Sequence, residues 1–104
     1  MNEIELTRGD TLYLEIHIED DEGNDYIPTQ KDSLVFTVKK NVYQNEPLIQ
    51  KNVYNGVLTI EHSDTQQLPY GEYVYDVQLT QANGDVTTVI KPSKFVIDYE
   101  VNYD

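Results

Sequence analysis

Strict alternation of apolar and polar side chains runs through this chain and leaves room for little besides β-strands. Leu12, Leu14, Ile16 and Ile18 alternate with Tyr13, Glu15, His17 and Glu19. Leu34, Phe36 and Val38 alternate with Val35, Thr37 and Lys39, and Tyr73, Tyr75, Val77 and Leu79 with Val74, Asp76, Gln78 and Thr80. Successive side chains of a strand point to opposite faces, so each run describes a strand with one face buried and one wet. Ile4 with Leu6 marks a shorter first strand, and Leu58 with Ile60 another. Tyr26-Ile27-Pro28 supports only a brief extended piece, and Leu48–Lys51 and Val53-Tyr54 are short apolar pieces. Val86–Lys91 reads as a return strand stopped by Pro92, because proline removes a ladder donor. A last strand starts at Lys94.

Turn chemistry separates these runs. Arg8-Gly9-Asp10, the polar cluster of residues 20–25, Asn55-Gly56, Tyr70-Gly71 and Gln81–Asp85 all carry the Gly, Asn or Asp that tight turns favour. Residues 63–69 hold the one helical signal: Ser63 as N-cap, Gln66 closing a capping box, and Pro69 ending it after a single turn. With 28 residues of Val, Ile or Thr, nine Tyr and one Ala, the composition suits a pleated surface. The 104 residues are enough for one core without staples. The expected fold is all-β: one domain over residues 1–104, an antiparallel immunoglobulin-like β-sandwich of about seven or eight strands, with at most one short helical turn. A small barrel is the alternative architecture.

Charge narrows the partners. The formal charge is −12, and it is uneven: net −8 over residues 1–26, net +2 over residues 27–60 and net −6 over residues 61–104. Such a balance argues against nucleic acid, whose phosphates need Lys and Arg. It suits a solvated surface that resists self-adhesion, or a docking surface for a basic partner. A run of about 18 apolar residues occurs nowhere, and Met1-Asn2-Glu3 has neither basic flank nor apolar stretch, so neither a membrane helix nor a secretory signal is expected. Without Cys there is no disulfide and no thiolate metal site.

The motifs for chemistry point away from catalysis. Arg8-Gly9-Asp10 spells an integrin-binding tripeptide, yet its residues equally suit a strand connection, which is the expected reading. The acidic loop at 20–25 fails the calcium-loop pattern, because counting back from Gly23 puts Ile18 at the first ligand position. His17 and His62 stand alone, on a polar strand face and ahead of the helical turn. Ser33, Ser63 and Ser93 lie at loop or strand edges outside any nucleophile-elbow context. No catalytic residue, cofactor or metal is expected.

The C-terminus is the oddest stretch. Phe95, Ile97, Tyr99, Val101 and Tyr103 alternate strictly with Val96, Asp98, Glu100, Asn102 and Asp104. Two readings stand: a strand that frays near Tyr99, or an overhang over residues 98–104 that pairs with another chain. Tyr13, on the face opposite Leu12 and Leu14, and Tyr99, Val101 and Tyr103 are the candidate interface residues.

Two stretches carry a resemblance. Thr7-Arg8-Gly9-Asp10-Thr11 opens the long strand to Ile18. Leu68-Pro69-Tyr70-Gly71-Glu72-Tyr73-Val74-Tyr75-Asp76 continues to Thr80, and Asn83-Gly84 and Val86–Val89 follow. In order and spacing they resemble the small β-sandwich domains of tailed-phage and prophage structural proteins of Gram-positive hosts, above all the N-terminal domain of the baseplate upper protein family. The resemblance implies a non-enzymatic assembly module in a virion, made in the bacterial host cytoplasm. Its partners would be other tail or baseplate proteins, or further copies of itself. It carries no catalytic residues. In that family further segments usually follow the sandwich, so the resemblance leaves open a stand-alone structural protein or a domain whose remainder lies elsewhere. The second expectation, from the residues alone, is an extracellular carbohydrate- or ligand-binding sandwich, marked by an exposed aromatic platform or a calcium site.

Overall fold

A computed structural model describes residues 3–19, 22–26 and 31–99. The elements follow the chain as β1 (Ile4–Thr7), β2 (Leu12–Glu15), β3 (Ile18–Glu19), β4 (Asp25–Tyr26), β5 (Ser33–Lys39), β6 (Ile49–Asn52), β7 (Val57–Ile60), α1 (His62–Thr65), β8 (Gly71–Thr80) and β9 (Val86–Asp98). The fold is all-β with one helical turn. A five-stranded sheet ordered β1-β9-β8-β5-β6 is accompanied by two-stranded sheets β2-β7 and β3-β4.

The core is built by the alternating residues. Leu34, Phe36 and Val38 of β5 face Leu79, Val77 and Tyr75 of β8 in direct register, and Tyr73 faces Phe95 of β9. Phe36, Tyr75 and Phe95 form an aromatic centre with ring centroids 5.4, 6.0 and 6.4 Å apart. Against it pack Ile4 and Leu6 of β1 and Leu58 and Ile60 of β7, all buried, with Leu12 and Leu14 partly so. Burial of such side chains contributes roughly 1.5–3 kcal/mol each.

Tyr73 adds a polar fixture. Its hydroxyl donates to the Pro69 carbonyl at 2.6 Å, four residues upstream at the corner where α1 leads into β8. A tyrosine near the start of a strand that bonds back to the preceding corner is a hallmark of immunoglobulin-like sandwiches. Burial pushes the Tyr73 hydroxyl above its ordinary pKa of 10.0, which keeps it a donor.

Four expectations are corrected. The sheet is mixed rather than antiparallel, because β1 runs parallel to β9. Parallel neighbours need a long crossover, and here the body of the chain between the two strands supplies it. The run from Leu12 to Ile18 is two strands: β2 pairs with β7, β3 with β4, and between them the Ile16 N–H bonds the Gly56 carbonyl at 2.7 Å. The alternation survives the change of partner, with Ile16 and Ile18 both buried.

Pro92 does not end its strand. β9 runs on to Asp98, with Ser93 opposite Tyr75. Proline is tolerated because β1 reaches only as far as Phe95, leaving one side of β9 at Pro92 without a strand. The register shifts twice between Tyr75 and Gln78, and each shift places one extra residue on β9. Finally, the helical turn is capped two residues earlier than Ser63 suggests. Glu61 is the N-cap, and the Asp64 carboxylate accepts its backbone N–H at 2.7 Å.

Candidate functional site

Four surfaces carry side chains available to a partner. The first surrounds Arg8-Gly9-Asp10. The Asp10 N–H donates to the Thr7 carbonyl at 3.0 Å, and Gly9 takes φ of 85°. α1 holds this turn from two sides. The Gly9 N–H donates to Oγ1 of the fully buried Thr65 at 2.9 Å, and His62 Nδ1–H donates to the Gly9 carbonyl. The Arg8 guanidinium lies 4.4 Å from the centroid of the Tyr70 ring, and Tyr99 packs on the same ring at 4.0 Å. The tripeptide is therefore a fastened strand connection with its Arg drawn onto an aromatic ring. Tyr99 is 71% exposed even so, and it extends an aromatic ledge beyond the end of β9.

The second surface is the β1 edge. β1 terminates the five-stranded sheet and, among the described residues, has β9 as its one strand neighbour. Its charge is acidic. The Glu5 side chain shares a hydrogen bond with Asp98, and that bond and the Asp98 charge raise the Glu5 carboxyl above its ordinary 4.5. At the opposite edge, β6 places Lys51 in register with core-facing Phe36. Its ammonium reaches across to α1, 2.6 Å from Asp64 and 3.6 Å from Glu61.

The third surface is the outer face of the β2–β7 ribbon. Tyr13 opposes Thr59, Glu15 opposes Val57, and Val57 is bridged on its other side to Tyr54. Directly opposed residues of an antiparallel pair point the same way. Tyr13, Val57 and Tyr54 therefore share one face, with the two tyrosines 69% and 70% exposed. The hairpin beside it is a two-residue turn with Asn55 at φ 54° and Gly56 at φ 75°, both left-handed as such a turn requires.

The fourth surface is a cleft of about 780 Å³ where β2 hands over to β3. Its floor is apolar: Ile16, Ile18, Leu34 and Val53, each buried. Its rim is acidic and aromatic, with Glu15, Asp25, Asp32, Tyr26 and Tyr54. The Tyr26 hydroxyl donates to Asp32 Oδ2 at 2.7 Å, which fixes one wall. His17 is the one basic side chain among the described lining residues; it lies 3.5 Å from Glu15, and both side chains are well exposed. No residue of β1, β8 or β9 contributes.

On the outer face of the large sheet, Asp76 sits partly buried in a dimple of about 80 Å³ beside Lys39, Val42 and Pro92. Burial lifts its carboxyl above the ordinary 3.8, and the nearby Lys39 charge offsets part of that rise. Among the described residues, no three of His, Asp and Glu gather closely enough to hold a metal ion.

Of the sequence-predicted interface residues, Tyr13 in β2 and Tyr99 just past the end of β9 are both exposed. Val101 and Tyr103 lie outside the described residues, as do Asp20 and Asp21 of the acidic loop. Tyr26, Asp32 and Tyr54 were not singled out from sequence. They meet Ile16 and Ile18 because the chain changes sheets at Ile16, which alternation does not signal. No protein-family model matches the chain, and no curated protein matches it.

Proposed function

We propose that this chain is a non-enzymatic assembly module of a tailed-phage or prophage baseplate, working in the virion through contacts with other tail proteins or with further copies of itself. The observation that carries this reading is the β1 edge. One side of the five-stranded sheet ends in a strand with no strand beyond it among the described residues, flanked by the exposed Tyr99 ledge. An unpaired row of backbone donors and acceptors is a template for another strand. The resemblance of the Thr7–Thr11 and Leu68–Thr80 stretches to baseplate upper proteins supplies the context.

The test is light scattering on the chain alone and mixed with purified phage tail and baseplate proteins. A complex of fixed stoichiometry is the expected result; high salt weakens it where acidic and basic surfaces hold it and leaves it intact where edge pairing does. A strict monomer that finds no partner in a virion preparation would overturn the reading.

A second reading, an extracellular carbohydrate- or ligand-binding sandwich, is favoured by the outer face of the β2–β7 ribbon. Tyr13 and Tyr54 there flank Val57 as an exposed aromatic platform. A glycan array read with and without calcium separates the two.

A further inference from the structure

We infer that the cleft between β2–β7 and β3–β4 binds an extended segment of a partner protein in which apolar side chains alternate with Lys or Arg. The inference stands apart from the assembly reading, because the cleft draws nothing from the β1, β8 and β9 strands that form the open edge.

Two observations converge on that occupant. The first is size and lining. A space of about 780 Å³ falls within the ordinary range of ligand sites, roughly 300–1,000 Å³. A floor of Ile16, Ile18, Leu34 and Val53 rewards apolar side chains and offers a charged group nothing.

The second is charge. Among the described lining residues, Glu15, Asp25 and Asp32 supply three carboxylates against one histidine, and that histidine already faces Glu15. The sign selects a cationic partner and repels an acidic one. Because an apolar floor lies beneath an acidic rim, one chain must bring both kinds of side chain, and an extended strand does so by alternation.

The test is amide chemical-shift mapping on ¹⁵N-labelled protein with three probes: a blocked hexapeptide alternating leucine and lysine, its leucine–glutamate counterpart, and maltohexaose. The basic peptide is expected to give saturable shifts at Ile16, Ile18 and Leu34. Neither the acidic peptide nor the sugar should do so. The double variant Glu15→Gln with Asp25→Asn should bind the basic peptide about five-fold more weakly while keeping the dispersion of the parent spectrum. Glu5→Gln, outside the cleft, should bind as the parent does. Four outcomes would overturn the inference: no saturation, equal binding of the acidic peptide, cleft shifts with maltohexaose, or a double variant that binds undiminished.

Discussion

At the scale of single residues, Tyr73 joins packing to hydrogen bonding most tightly. Its ring fills the core beside Phe95, and its hydroxyl ties the start of β8 to the Pro69 carbonyl. Tyr73→Phe keeps the ring and removes the tie, leaving a partly buried carbonyl without its donor. The expected loss is about 1–2 kcal/mol, read as a lower denaturation midpoint with an unchanged denaturant slope. The core residues themselves were legible beforehand, because Tyr73, Tyr75, Phe36 and Phe95 sit at alternating positions whose phase assigns them inward. The hydroxyl's destination was not, since it depends on how the chain enters the strand. The N-cap was misplaced for a related reason. Ser63 has the better capping side chain, but Asp64 is drawn to Lys51 of β6, and that tertiary pull sets where the turn begins.

At the scale of elements, alternation tells which face a strand buries and is silent on which neighbour it meets. The stretch from Leu12 to Ile18 keeps its phase while exchanging β7 for β4, so its burial was readable and its division was not. Pro92 is the converse. The residue forbids a donor, yet β9 continues because that side of the strand has no partner to serve. The Asn55-Gly56 hairpin was legible in full, and it does more than reverse the chain, since the Gly56 carbonyl receives the Ile16 N–H at the point of division. A Cβ at Gly56 would meet the Ile16 carbonyl at 3.6 Å, an ordinary contact, so the obstacle to a side chain there is φ of 75°. Gly56→Ala should therefore destabilise by about 1–2 kcal/mol. In that variant the Ile16 amide should lose more protection than the amides of β2 and β7, a pattern that hydrogen exchange resolves.

At the scale of the whole molecule, a charge of −12 opposes compaction, and two carboxyls concentrate the effect. Asp76 is raised by burial and Glu5 by its bond to Asp98. A carboxyl whose folded pKa lies above its unfolded value binds protons more readily in the folded state. Stability therefore falls as pH rises through the window above 3.8 for Asp76 and above 4.5 for Glu5. The thermal midpoint should be higher near pH 4.5 than at pH 7.5, and Asp76→Asn should flatten that slope. A midpoint that rises steadily toward neutral pH would contradict this account.

The two edges of the large sheet differ in kind. Lys51 points inward from β6 toward the acids of α1, so a strand added on that side would lie against a chain whose charged residue is committed beneath it. β1 has no such guard. A sheet that can be extended on one side alone has a valence of one. Two copies meeting β1 to β1 about a twofold axis would use up both open sides and leave nothing for a third, so growth would close at a pair instead of running on into a fibre.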